Sequence, residues 1–164
     1  MGARYPVGSK QFSSTAGRAE RKDWTLIAIA LSRRGLAPIQ LQKSLHLLLQ
    51  TYPRDVGPHF YEFRSISSGH FSGEIYPDAQ ALAGDGLIAI EVSEQEGWQH
   101  YSATAAGLAH AKQVLGFLRE PVVHYLRRVV AWASTRSFEQ LVRQPFDPGV
   151  AVPDPSDARS LHPR

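Results

Sequence analysis

The sequence predicts a mainly α-helical fold with a small β component, an α+β chain, on three observations. Apolar residues recur at helical spacing in successive runs between residues 24 and 133. Two short runs, 87–92 and 98–102, have strand composition and face each other across Ser93-Glu94-Gln95-Glu96-Gly97. Glycine, proline and serine clusters punctuate the runs. With 164 residues, 43% of them apolar, the chain is long enough to bury one core of ordinary size.

The elements follow in order. Asp23 is a good N-cap for a first helix. Trp24, Ile27, Ala28 and Leu31 fall at i, i+3, i+4 and i+7, with Ile29 and Ala30 between them. That helix is apolar nearly all round, which predicts burial. Arg33-Arg34-Gly35 ends it with positive charge near the C-terminal dipole and a glycine stop. Pro38 opens a second helix, whose Leu41, Leu45, Leu48 and Tyr52 share a face, and Pro53 closes it. Residues 60–66, aromatic and partly alternating, predict a strand, and 67–69 a turn. A third helix spans 72–83 with Ile75, Ala79 and Leu82 as its core face. Pro77 is tolerated only in a first turn, so the regular part is expected to start near Tyr76.

Gly84-Asp85-Gly86 then leads into the two strands. Thr104 caps the next helix, whose Leu108, Ala111 and Leu115 share a face. Pro121 starts a further helix with an apolar stripe of Val122, Leu126, Val129 and Ala133 and with Arg127 and Arg128 exposed. Ser137 and Gln140 make a capping-box pair for a short helix holding Phe138, Leu141 and Val142. After Pro145 come four more prolines and little apolar content, which reads as an extended tail.

Helix, helix, helix, hairpin is the order of a winged helix-turn-helix. The expected organisation is a flexible basic arm at 1–22, a winged-helix domain at 23–115, a C-terminal helical extension at 116–144 and a Pro-rich tail at 145–164. Charge is uneven along it. Residues 1–22 carry a net +4, residues 23–115 a net −3 and residues 116–164 a net +2. The body is acidic and its flanks are basic.

Several function classes drop out. The chain has no cysteine, which removes disulfides, zinc-thiolate sites and a thiol nucleophile and suits a cytoplasmic protein. No apolar run reaches the length of a membrane span, and no secretory leader is evident at the N-terminus. Gly84-Asp85-Gly86-Leu87-Ile88-Ala89 matches G-x-G-x-x-A but leaves a helix and enters a strand, the reverse of a dinucleotide site. The seven histidines lack a ligand spacing, and His100 and His110 read as isolated surface or half-buried groups. No catalytic residues, metal site or cofactor are expected, so the chain reads as a non-enzyme.

Specific residues also suggest a family. Ile39-Gln40-Leu41-Gln42-Lys43-Ser44-Leu45, residues 60–66, Gly69-His70-Phe71-Ser72, residues 82–88 and residues 101–107 together resemble the YwgA-like family. These are small prokaryotic winged-helix proteins, distantly similar to the Panacea (SocA-like) antitoxin domain. Their pattern is a Leu-Gln-Lys-Leu helix, a Phe-x-Phe strand, a Gly-Pro-Phe/Tyr-Ser turn, a Gly-Leu-Ile strand start and a Leu-Thr-x-x-Gly helix start. Residues 137–143 look like the family's C-terminal helix. The resemblance covers about residues 23–145. His70 stands where the family has proline, Ala103 where it has leucine, and Gln144-Pro145-Phe146 where it has a tyrosine-proline ending. The resemblance implies a DNA-binding or protein-binding regulator, often near defence or toxin–antitoxin loci, and not an enzyme.

Two readings of the surface follow. For DNA, the polar readers are Ser72, Tyr76 and Gln80 on the third helix and Gln99 and His100 on the wing, with Lys43, Arg64, Arg127 and Arg128 as basic contacts. Arg33, Arg34 and Arg119 are further basic candidates, and the arm suits a minor groove. Against it, Glu74, Asp78 and Asp85 on that helix and Glu94 and Glu96 on the wing would face phosphates. The alternative reading turns those five carboxylates into a docking surface for a basic protein partner, as in an adaptor or antitoxin-like module. Val122, Leu126, Val129 and Ala133 form a face that needs a cover, either the chain's own core or, favoured slightly, a second copy in a homodimer. For each charged residue the plain alternative is a solvated surface charge.

Overall fold

The computed structural model describes residues 19–67, 69–95, 97–143 and 146. The expected arm at 1–18, the tail from 147 onwards, and Ser68, Glu96, Gln144 and Pro145 lie outside the described residues. Among the described residues the chain is mixed α+β. It has seven helices and two small antiparallel sheets of two strands each.

Helix α1 (Arg21–Leu31) forms the centre because its sequence has no polar face to give to water. Trp24, Leu26, Ile27, Ala28 and Ile29 are all buried. It touches α2 (Pro38–Thr51), α4 (Ile75–Gly84), α5 (Ala105–Leu115) and α6 (Glu120–Ala133). Asp23 is not its N-cap. Glu20 holds that place, and Asp23 sits one turn in, where its carboxylate accepts the Glu20 backbone N–H at 2.8 Å. The other Asp23 oxygen meets His110 Nε2 of α5 at 3.2 Å, both groups being buried. His110, expected as an isolated surface or half-buried group, is buried and paired, and ties α5 to the start of α1.

Gly35 turns the chain after α1 with φ +74°. A Cβ there would lie 2.4 Å from the Tyr101 carbonyl oxygen, so only glycine fits. The turn delivers Leu36 beside Tyr101, and their backbones exchange two hydrogen bonds of 2.8 Å. Helix α2 then buries Leu41, Leu45 and Leu48 as its spacing predicts. It ends ahead of Pro53, which opens the single turn α3 (Pro53–Val56).

The aromatic segment does not become a full strand. Phe60 and Tyr61 are adjacent and both buried, which the alternating faces of a strand do not allow. Only β1 (Arg64–Ile66) pairs, with β2 (Gly69–Phe71), placing Ser65 opposite His70. Helix α4 follows with Ile75, Ala79 and Leu82 buried and Pro77 confined to the first turn. Its end is a Schellman motif: Gly86 (φ +75°) donates to Ala83 O at 3.0 Å and Leu87 N–H to Leu82 O at 2.9 Å. The hairpin of β3 (Ile88–Val92) and β4 (Gln99–Ala103) pairs in register from Ile88↔Ala103 to Val92↔Gln99.

Thr104 caps α5 as expected, accepting the Gly107 N–H at 3.0 Å. The core face of α5 is Gly107, His110, Ala111 and Val114, while Leu108 is 51% exposed. The predicted face is out by about one position. Gly107 presses on the Leu87 carbonyl, and that close approach sets the rotation of the helix.

Helix α6 lays Val122, Leu126, Val129 and Ala133 against α1 and α2, and none is more than 1% exposed. The face expected to hold a homodimer is used up inside this chain. The capping box on α7 (Phe138–Arg143) is present: Ser137 N–H donates to Gln140 Oε1 at 2.9 Å, and Gln140 N–H to Ser137 Oγ at 3.2 Å. Leu141 joins Leu47, Val129, Trp132 and Ala133 in a second apolar cluster, against which Phe146 packs.

Candidate nucleic-acid interface

The surface of α4 is set by what lies behind it. Ile75, Ala79 and Leu82 face the core, so Tyr76 and Gln80 point outward with Pro77 and Ala81 between them. Glu74 and Asp78 do not lie on that outward face as free charges. Arg21 of α1 reaches across and pairs with both, its Nε donating to Asp78 Oδ2 at 2.9 Å and its NH1 to Glu74. The Asp78 side chain is only 15% exposed. Thr25 donates to the Tyr61 hydroxyl at 2.6 Å, and Tyr61 donates to Asp78 at 2.7 Å. Burial pushes the Tyr61 hydroxyl far above its ordinary pKa, so it stays a donor. Two of the five carboxylates of the expected acidic surface thus share one guanidinium, which leaves the three groups with a net charge of −1.

Ser72 is not a surface reader. It is 2% exposed, and Gln42 of α2 clamps its backbone, donating to Ser72 O at 2.8 Å and accepting its N–H at 2.9 Å. The clamp fixes the segment that leads into α4. Phe71 stays close to Tyr76, with ring centroids 5.8 Å apart.

Gln99 and His100 go to opposite faces of the hairpin, as neighbouring strand residues must. Gln99 shares the face of Tyr101, whose hydroxyl donates to Gln99 Oε1 at 3.4 Å. Burial first, and then the neighbouring Tyr76, raise the Tyr101 hydroxyl to about 12. Tyr76, Tyr101 and Gln99 therefore adjoin. His100 instead contacts the Arg34 carbonyl oxygen and lines a groove with Arg33, Arg34, Glu91, Ser102 and Leu108. It does not join the Tyr76 side.

The basic candidates scatter. Arg64 is exposed on β1. Lys43 is half-buried on α2, and burial lowers its pKa. Arg127 is exposed and Arg128 half-buried on α6, which packs on α1 and α2, whereas α4 packs on α1 and β3. Arg119 is held by Asp55 through its Nε at 2.7 Å. Asp85 and Glu94 are exposed, one capping the end of α4 and the other at the hairpin tip. Glu96 lies outside the described residues.

Sequence reasoning missed the pair His46 and His70. Their rings stack at 4.0 Å and 11°, and Phe63 meets His46 edge-on at 5.0 Å. Their positions, 24 residues apart on a helix and a strand, carry no periodic signal. Exposed Trp98 and Phe138 were also unforeseen as a contact between hairpin and α7, with rings 6.4 Å apart.

Among the described residues no group of three or more His, Cys, Asp or Glu side chains could hold a metal ion. Among the described residues no helix is long and apolar enough to cross a membrane. Comparison of the chain with protein-family models, curated proteins and solved structures finds no match.

Proposed function

We propose that α1, α2, α4 and the β3–β4 hairpin form a winged helix-turn-helix, and that the protein is a non-enzymatic DNA-binding regulator of the YwgA-like kind. The Leu36–Tyr101 bridge supports the fold reading, because it pairs one residue from between the first two helices with the hairpin, where a winged helix has a short strand. The observation that carries the functional reading is the pairing of Arg21 with Glu74 and Asp78. It halves the charge that Glu74 and Asp78 set against phosphates, from −2 to −1. With it, α4 presents Tyr76 and Gln80, polar groups of the kind that read base edges, and no unpaired carboxylate before Asp85. The same pairing takes two carboxylates from the rival reading, an adaptor that docks a basic protein.

The sequence ahead of α1 adds positive charge. Residues 1–18 include Arg4, Lys10 and Arg18 and no acidic residue. They lead into α1 where Arg21 touches α4. The test is anisotropy of a labelled duplex with the full chain at several salt concentrations. Binding should be salt-sensitive. Replacing Arg4, Lys10 and Arg18 with Gln should flatten the slope of log affinity against log salt by up to about 3. Tyr76→Ala with Gln80→Ala should instead reduce preference among sequences. A full chain that binds no duplex at low salt overturns the proposal.

A further inference from the structure

Where β2 and α7 meet α2, the chain builds a small cleft with an unusual charge pattern. Lys43 and His46 stand one helical turn apart on α2, and His70 comes from β2. Ile39, Leu141 and Val142 supply apolar walls. Among the described residues no carboxylate lines it. The facing groups of α2 and β2 are all bases, α7 contributes only its apolar residues, and the Glu139 of α7 is turned to Arg143 at 3.1 Å. The cavity volume is about 30 Å³.

We propose that this cleft is a phosphate-binding site, in which Lys43, His46 and His70 converge on the oxygens of one phosphate group. Three stacked or adjacent bases with no counter-charge are costly to protonate together. His46 is 92% buried by its 8% exposure, and burial, then His70 and Lys43, lower it to about 4. An anion removes that cost and gives each base a charge-assisted partner. The apolar walls reduce screening, so the attraction is stronger than on open surface. The site chemistry suits a phosphate of a free ester or of a nucleic-acid backbone. The inference does not depend on duplex binding.

The test uses the full chain and inorganic phosphate, followed by imidazole NMR signals, with chloride at equal ionic strength as control. His46→Gln and His70→Asn variants assign the two signals among the seven histidines. Phosphate should raise the apparent pKa of His46, by about one unit if the protonated form binds tenfold more tightly, and should move the His70 signal. Lys43→Met, which keeps the buried stem, and His70→Asn should each weaken phosphate binding about tenfold. Competition by duplex DNA assigns the site to backbone phosphate, and absence of competition assigns it to a free phosphate ester; both uphold it. Equal shifts in chloride, or unchanged affinity in both variants, overturn it.

Discussion

Gly107 of α5 lies so close to Leu87 that a Cβ on it would sit 1.8 Å from the Leu87 carbonyl oxygen. That oxygen already accepts the Thr104 N–H at 3.1 Å, and Thr104 in turn donates to Gly86 O at 2.6 Å. The join between α4, the hairpin and α5 is therefore backbone against backbone.

Gly107→Ala tests that contact. Alanine favours a helix by about 1 kcal/mol over glycine. Overpacking costs about 1–3 kcal/mol, and a clash with fixed backbone falls at the upper end. The clash wins, and the midpoint of urea unfolding should fall. An unchanged or raised midpoint would show that α5 can step back at no cost.

Removing Arg21 should expose the cost of Asp78. The Arg21 side chain is 36% exposed and Glu74 is 56% exposed, so solvent screens that pair. Asp78, far less exposed, would keep only the Tyr61 hydroxyl. Arg21→Met should lose about 1–2 kcal/mol, and combining it with Asp78→Asn should reveal a coupling of about 1 kcal/mol in a double-mutant cycle. A coupling of zero would mean the two side chains act independently.

Leu126→Ala should act on folding and not on association. Leu126, with Val122 and Val130, belongs to the same core as Leu26, Leu45 and Leu48. The cavity should cost about 2–5 kcal/mol. Sedimentation should show the same mass for variant and parent at every concentration where both are folded. A change in mass would return this face to an interface.

Acid should weaken the fold through His46. Its imidazole takes a proton at about 4 in the folded chain instead of 6.5. The unfolded chain therefore binds the proton first as pH falls. The contribution of neutral His46 is complete above about pH 6.5 and is lost towards pH 4, by up to roughly 3 kcal/mol. His46→Gln, neutral throughout, should show a shallower fall of stability across that window. Parallel curves for the two proteins would refute the shift.

The sequence made the local elements readable where one signal dominated. The leucines of α2, the Ile75-Ala79-Leu82 face of α4, the hairpin, the Thr104 cap and the Ser137–Gln140 box all stand where their spacing puts them. The misses share a cause, which is distance along the chain. The phase of α5 depends on Gly107, a residue with no apolar signal, meeting Leu87. The charge of α4 depends on Arg21, 57 residues before Asp78. Phe60 and Tyr61 left the strand pattern because both are buried side by side in the core, Tyr61 bonded to Thr25 and Asp78 of distant helices. The apolar stripe of α6 announced that it needed a cover, and its periodicity contained nothing to say that α1 and α2 were the cover. Of the candidate site, Tyr76 and Gln80 were legible as outward positions on α4, while the burial of Ser72 rests on Gln42 alone among its hydrogen-bond partners.

The β3–β4 hairpin meets the body at two places. Leu36 is laced to Tyr101 at its middle, and Trp98 lies against Phe138 of α7 near its tip. A change in the turn at Gly35 therefore reaches the middle of the hairpin, and a change in the seat of α7 reaches its tip.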